Sequence, residues 1–248
     1  MLENRPDGSL LLLVGVSRSG KSVYLKRLVE RHPRVMAFDP KGEYAAQMGY
    51  RPAHTRAELI QLLKSSPSDD RIAYIQHSKK EFHFFCDCAF NWNRQKQATI
   101  ICEELANVTS AGKADGPWGR LVSQGLAYGP LIIGTVQRGQ EVDKSIMNNA
   151  SYIHVARHNT ESDRAYMAQK LGCNPSDIPD KPLEFIQWTS DRGIVCRGAI
   201  DFEKTKATKN WESGTPRFRT KQHEGEKRRI ITLNQSMDSP HFKRVQYR

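Results

Sequence analysis

Residues 15–22 read Gly-Val-Ser-Arg-Ser-Gly-Lys-Ser, and residues 103–104 are adjacent glutamates that close an apolar run. The first stretch fits G-x-x-x-x-G-K-[S/T], the spacing of a phosphate-binding P-loop. Backbone N–H groups along Gly15, Val16, Ser17, Arg18, Ser19 and Gly20 converge as an anion nest. Gly15 and Gly20 allow turns that a side chain would obstruct. Lys21 reaches the β- and γ-phosphates of a nucleotide, and the Ser22 hydroxyl ligates Mg²⁺. Hydrolysis needs carboxylates as well, one to hold the metal through water and one to polarise the attacking water. Glu103 takes the first position and Glu104 the second. Gln137 follows another apolar run, and an amide there can sense the γ-phosphate or orient water.

These groups need rigid mounts, and the surrounding pattern supplies them. Residues 9–14 (SLLLLV) read as a buried strand, and residues 20–30 have the periodicity of a helix, so the loop has strand before it and helix after it. A second strand at residues 34–39 ends in Asp39, at the edge where open α/β sheets bind ligands. Asp39 is equally suited to a turn or to capping a helix at residues 43–48. Residues 71–76, 98–102, 131–135 and 152–155 give further strands. Thr55 with Glu58 forms a capping box, residues 81–92 make a buried aromatic helix, and Thr160 caps a helix stopped by Gly172. Residues 107–119 read as a polar loop before a helix at 120–128. Residues 183–188 and 194–200 form a β-hairpin turned at Asp191-Arg192-Gly193. The expected fold is α/β, mainly parallel sheet flanked by helices, with a C-terminal hairpin. It forms one domain over residues 1–202, followed by a basic, flexible tail at 203–248.

Composition narrows the setting. With 248 residues, 38% hydrophobic and 26% charged, the chain suits a soluble protein with a sizeable core. No apolar run approaches the roughly 18 residues that span a bilayer, and the run at 10–14 is too short for a signal peptide. Five cysteines in mostly apolar surroundings suit reduced thiols of the cytoplasm. His83, Cys86 and Cys88 lack the paired spacing of a zinc site. Net charge is +11, and residues 203–248 hold 12 Lys/Arg against 5 Asp/Glu. That asymmetry points to a polyanion partner, with a solvated tail as the alternative.

The order of motifs resembles the FtsK/HerA superfamily of ATP-driven DNA translocases, over about residues 9–202. The resemblance rests on GVSRSGKS at 15–22, FDPKGEY at 38–44, IICEEL at 100–105 and GTVQRGQEVDKSIMNNA at 134–150. It is strongest to the genome-packaging ATPases of tailless, membrane-containing phages, with the Zot-like assembly ATPases as near relatives. It implies a RecA-like P-loop core that uses ATP and Mg²⁺ and assembles into a homo-oligomeric, hexameric ring. The ring threads double-stranded DNA and docks on a capsid or packaging-vertex protein, in the host cytoplasm or with the virion. By position, Lys21 and Ser22 bind phosphate and Mg²⁺, Glu103 is the Walker B acid, Glu104 the catalytic base and Gln137 the sensor. The chain departs from the pattern in two places. Glutamate stands at 103 where aspartate is usual, and an arginine-glycine pair is replaced by Tyr128-Gly129-Pro130. That leaves Arg94, Arg120 and Arg138 as candidates for an arginine acting in trans.

Other functions fit parts of the sequence. Extrusion of single-stranded phage DNA or conjugative transfer uses the same core. A small-molecule or nucleotide kinase has a P-loop at this length, although the paired glutamates and Gln137 favour water as acceptor. A DNA-binding or scaffolding protein with a merely regulatory nucleotide site is a further class. No Asn-Lys-x-Asp run for reading guanine occurs.

Overall fold

Four strands are apolar along nearly their whole length, as strands covered on both faces must be. These are β1 (Ser9–Val14), β2 (Val35–Phe38), β5 (Thr99–Cys102) and β6 (Leu131–Val136), with only Ser9 less than buried. The computed structural model describes residues 7–66 and 69–200, and strand backbone at Arg217–Arg219 and Ile230–Thr232. The chain divides into two compact units, Met1–Val14 with Ser22–Ile153, and Gly15–Lys21 with His154–Arg248.

In the first unit the strands are all parallel, in the order β1-β6-β5-β2-β4-β3, with β3 at Arg51–Ala53 and β4 at Arg71–Tyr74. β3 is a short strand that the sequence pattern does not reveal. Pro52 cannot donate to a ladder, and the outermost place in the sheet tolerates it. Among the described residues, five α-helices lie wholly in this unit: α2 (Glu43–Met48), α3 (Arg56–Ser65), α4 (Lys79–Gln95), α5 (Gly116–Ser123) and α6 (Lys144–Asn149). Helix α1 (Lys21–Val29) starts at the lysine of the 15–22 motif. The side chains of Thr55 and Ser78 accept N–H bonds from Glu58 and Glu81, so both α3 and α4 open on capped first turns. The cap at Ser78 makes α4 longer than its aromatic stretch. Phe82 of α4 meets Phe38 edge-on at 5.1 Å and Trp118 at 5.4 Å between ring centroids, a packing that fixes α4 and α5 together.

Helix α5 corrects an expectation. It spans Gly116–Ser123 rather than 120–128, because Pro117 starts the helix, and residues 125–128 form a separate 3₁₀ turn. The second unit contains the phosphate loop, the end of β7 (Tyr152–Ala156), α7 (Glu161–Leu171) and the antiparallel hairpin of β8 (Glu184–Thr189) and β9 (Gly193–Ala199). Thr160 caps α7 by accepting from Asp163, and Gly172 ends it in the left-handed region. Two short strands, β10 (Arg217–Arg219) and β11 (Ile230–Thr232), continue antiparallel from β9. The remainder of the expected basic tail lies outside the described residues.

The Val-Asp-Lys segment contributes a structural anchor. Asp143 is fully buried and accepts at one oxygen from Trp118 Nε1 at 2.8 Å and at the other from Ile146 N at 2.9 Å. Its carboxylate therefore caps α6 and satisfies the buried indole of α5. Asp143→Ala removes the cap and leaves a buried N–H unpaired, so stability should fall by about 2–4 kcal/mol. Equilibrium urea unfolding measures this, and a loss under about 0.5 kcal/mol would contradict the anchoring role.

Candidate active site

Residues 15–21 of the phosphate loop belong to the second unit and are pinned there by their own backbone. Val16 N donates to Arg157 O at 3.0 Å, just past β7, and Ser19 N donates to Val16 O at 3.3 Å. Gly15 has φ +151° and Gly20 φ +97°, and a Cβ on Gly15 would approach that of Ala156 to 2.9 Å. Both glycines are thus required by conformation, and Gly15 also by space. Arg18 adopts φ +60° at the exposed tip, so the loop alternates its backbone as a nest must. Ser17 is exposed beside it, while the Ser19 hydroxyl is buried with no hydrogen-bond partner. Lys21 Nζ folds back to donate to the carbonyls of Gly15 and, at 3.0 Å, Val16. An ammonium among loop carbonyls and an unsatisfied buried hydroxyl are donors suited to a phosphate.

The carboxylates belong to the first unit, where strand register sets them. β5 pairs with β2 and β6 so that Cys102 stands opposite both Phe38 and Gly134. The next residues, Asp39, Glu103 and Thr135, therefore meet at one carboxyl edge. β6 lies between β1 and β5, so the Glu103 strand is one place removed from the strand that leads into the phosphate loop. Glu103 accepts from Tyr44 Oη at one oxygen and from Thr135 Oγ1 at the other, each at 2.7 Å. Burial pushes its carboxyl above the ordinary glutamate value, and the two hydroxyl bonds pull only partly the other way.

Glu104 leaves the strand in the left-handed region, φ +55°, an unusual conformation for a residue with a side chain. Its N–H donates to Thr135 Oγ1 at 3.0 Å. One carboxylate oxygen is paired with Lys41, and the other accepts from Asn107 Nδ2 at 3.1 Å. Asp39 is buried, and its oxygens accept from Glu43 N at 3.0 Å and Tyr44 N at 2.9 Å, so it caps the start of α2. Burial raises its carboxyl, with those N–H bonds opposing. A small cleft is lined by Ser22, Asp39, Lys41, Tyr44, Glu103 and Glu104. The oxygens of Ser22, Asp39, Tyr44, Glu103 and Glu104 are hard donors of the kind that suits Mg²⁺, while Lys41 brings an ammonium to the rim.

Gln137 lies exposed just past the end of β6, outside that cleft lining. The arginine candidates are engaged locally. Arg94 lies over the Tyr128 ring, Arg120 covers Phe90 and pairs with Asp87, and Arg138 pairs with Glu141.

No protein-family model matches the chain. Protein P9 of Pseudoalteromonas phage PM2 is 29% identical over 189 residues, covering 73% of this chain and 84% of that protein. The genome packaging NTPase B204 of Sulfolobus turreted icosahedral virus 2, solved with AMPPCP, aligns at a TM-score of 0.63. Its identity is 13%, and the alignment covers 75% of this chain and 94% of that one. B204 of Sulfolobus turreted icosahedral virus, described as a DNA-packaging ATPase, aligns at a TM-score of 0.61 with 14% identity, covering 80% and 100%. This chain has the fold of the genome-packaging P-loop NTPases.

Within that NTPase fold, three groups that hold the carboxylates come from residues to which the sequence pattern gives no chemical role. Tyr44 and Thr135 reach Glu103, and Lys41 reaches Glu104. FDPKGEY was legible as a motif at 38–44, but not as the clamp on a glutamate some sixty residues further on in the chain. Only the strand register places them together.

The raised carboxyl of Glu103 has a thermodynamic consequence. Between its ordinary value in the unfolded chain and the higher folded value, stability falls as pH rises, and above the folded value the full cost of the buried charge is present. Glu103→Gln removes the charge and keeps the shape. Without nucleotide or divalent cation, it should unfold at a higher temperature than the parent near about pH 7.5, the gap closing toward about pH 4. Calorimetry at a series of pH values checks this. An equal or lower midpoint at neutral pH would refute the burial cost.

Proposed function

We propose that this chain is an ATP-hydrolysing DNA translocase that packages double-stranded viral DNA into a capsid. The reading rests above all on Glu103 and Glu104, held side by side at the carboxyl end of β5 in a chain that also carries a P-loop. The packaging NTPases that share the fold, and the phage protein P9, support the viral setting. No helix of the described residues is long and apolar enough to cross a membrane. On this reading the protein acts in the host cytoplasm or with the virion.

The roles follow from the chemistry of each group. The loop N–H groups other than those of Val16 and Ser19, which bond carbonyls of the chain itself, and the Lys21 ammonium bind the triphosphate, and they favour the charge that develops on its terminal group. Ser22 and Glu103 would hold Mg²⁺, and Tyr44 and Thr135 orient that carboxylate. When bound, Mg²⁺ supplies charge neutralisation at the phosphates. Glu104 accepts a hydrogen bond from the attacking water and polarises it. Gln137 reports the terminal phosphate to β6. Copies assemble into a ring, proposed as a hexamer, with an arginine of one copy completing the site of the next. The basic residues beyond 203 contact DNA phosphates, which suits movement along DNA of any sequence.

ATP hydrolysis by purified protein, with and without double-stranded DNA, tests the proposal. DNA should stimulate turnover, and Lys21→Ala and Glu104→Gln should each reduce it by about 10²-fold or more. Turnover indifferent to DNA would overturn the motor, and turnover surviving Glu104→Gln would overturn the catalytic assignment. Transfer of phosphate to a small acceptor in place of water would identify a kinase.

A further inference from the structure

The catalytic base assigned above is held by a charged neighbour, Lys41. Both oxygens of Glu104 are engaged, one by Lys41 Nζ and one by Asn107 Nδ2. A carboxylate that polarises water needs an oxygen within hydrogen-bond reach of that water, about 2.6–3.2 Å. An oxygen facing an ammonium is poorly suited to that task, because the cation competes with the water proton for the same lone pairs. The two partners of the ion pair also differ in freedom. The Lys41 side chain is 60% exposed and that of Glu104 only 22%. Lys41 stands on the turn between β2 and α2, beside Gly42 in the left-handed region, and solvent can take its ammonium at little cost. Glu104 is fixed through its backbone N–H to Thr135. The pair therefore opens by movement of Lys41, with Glu104 remaining where the strand end puts it.

Resting on the hydrolase reading, we propose that Lys41 is a positioning residue that restrains Glu104, and that its release frees the base for water. The turn is built to hold this arrangement. Asp39 fixes the turn by accepting the N–H groups of Glu43 and Tyr44. Glu43 pairs with Lys26 of α1, the helix that begins at Lys21 and Ser22. Tyr44 bonds the neighbouring Glu103. One short segment thus touches both carboxylates and the helix that carries the phosphate-binding residues at its start. Of its side chains, Lys41 is the exposed one that contacts the base.

Steady-state ATP hydrolysis of the parent, Lys41→Met, Lys41→Arg and Glu104→Gln separates the possibilities. An exposed ion pair that restrains the base should, when removed, raise kcat in the absence of DNA by about two- to fivefold. Lys41→Met should show that rise with KM for ATP unchanged, while Lys41→Arg keeps the charge and the parent rate. A merely structural role would leave kcat unmoved. A fall in kcat, or a rise in KM, would overturn the restraint and make Lys41 a promoter of catalysis or a phosphate ligand. Because Lys41 is exposed on a turn, Lys41→Met should fold, and circular dichroism checks that it does. If Glu104→Gln retains parent turnover, the assignment of the base fails and the restraint fails with it. If Glu104→Gln is inactive and Lys41→Met is unchanged, the restraint alone fails.

Discussion

The carboxyl edge of the first unit depends on one half-buried carboxylate, Glu103, held between two hydroxyls. Tyr44 comes from α2 and Thr135 from β6, on either side of the strand that carries the glutamate. Both bonds require β2, β5 and β6 to keep their register. A slip of one residue would turn every side chain to the opposite face and place apolar groups at the edge. The same register leaves the interior of these strands continuously apolar, which drives their burial. Core and site are thus specified by a single pairing pattern, and neither can change without the other.

A buried carboxylate disfavours its own charge, and the fold tolerates this because the site needs oxygen donors in a confined place. Glu103 and Asp39 are both pushed toward the neutral form by burial. Each offsets that cost with donors to both oxygens, two hydroxyls for Glu103 and backbone N–H groups for Asp39. Such an edge is a place where a cation gains more than it would in water, since its arrival relieves a charge that the protein holds poorly on its own. Glu104 has a different environment, with an ammonium beside it and partial access to solvent. Two adjacent glutamates of identical chemistry are thus given different environments by what surrounds them.

Much of this arrangement is visible in the sequence, because it is local. The phosphate loop is contiguous, its strand and helix flank it, and the caps at Thr55 and Thr160 announce α3 and α7 directly. Asp39 is legible as a group at a strand end, although the choice between ligand and cap needs the backbone N–H groups of Glu43 and Tyr44 to be located. The clamps on the glutamates are non-local. Nothing in the spacing of Tyr44, Thr135 and Glu103 announces a contact, since it arises only when three parallel strands are aligned. The early start of α5 is a different kind of miss. Two glycines and a proline at 116–119 read as a loop, yet Pro117 occupies a first-turn position and the buried Trp118 anchors the helix against Phe82 and Asp143.

The glutamate at 103, where the resembling family has aspartate, is the departure that the geometry explains best. An aspartate would withdraw the carboxylate by one methylene, about 1.5 Å. With the backbone fixed by the bond from Glu103 N to Phe38 O, such a group could not meet both hydroxyls at the distances observed. The longer side chain is thus matched by partners placed to receive it, and the hydroxyls of Tyr44 and Thr135 remove much of the rotamer freedom that the extra methylene adds. Thr135 also receives the N–H of Glu104, so one hydroxyl ties the position of the Glu103 carboxylate to that of Glu104. A shorter acid at 103 would loosen both. Reach, burial and hydrogen bonding at positions 44, 103 and 135 thus compensate one another.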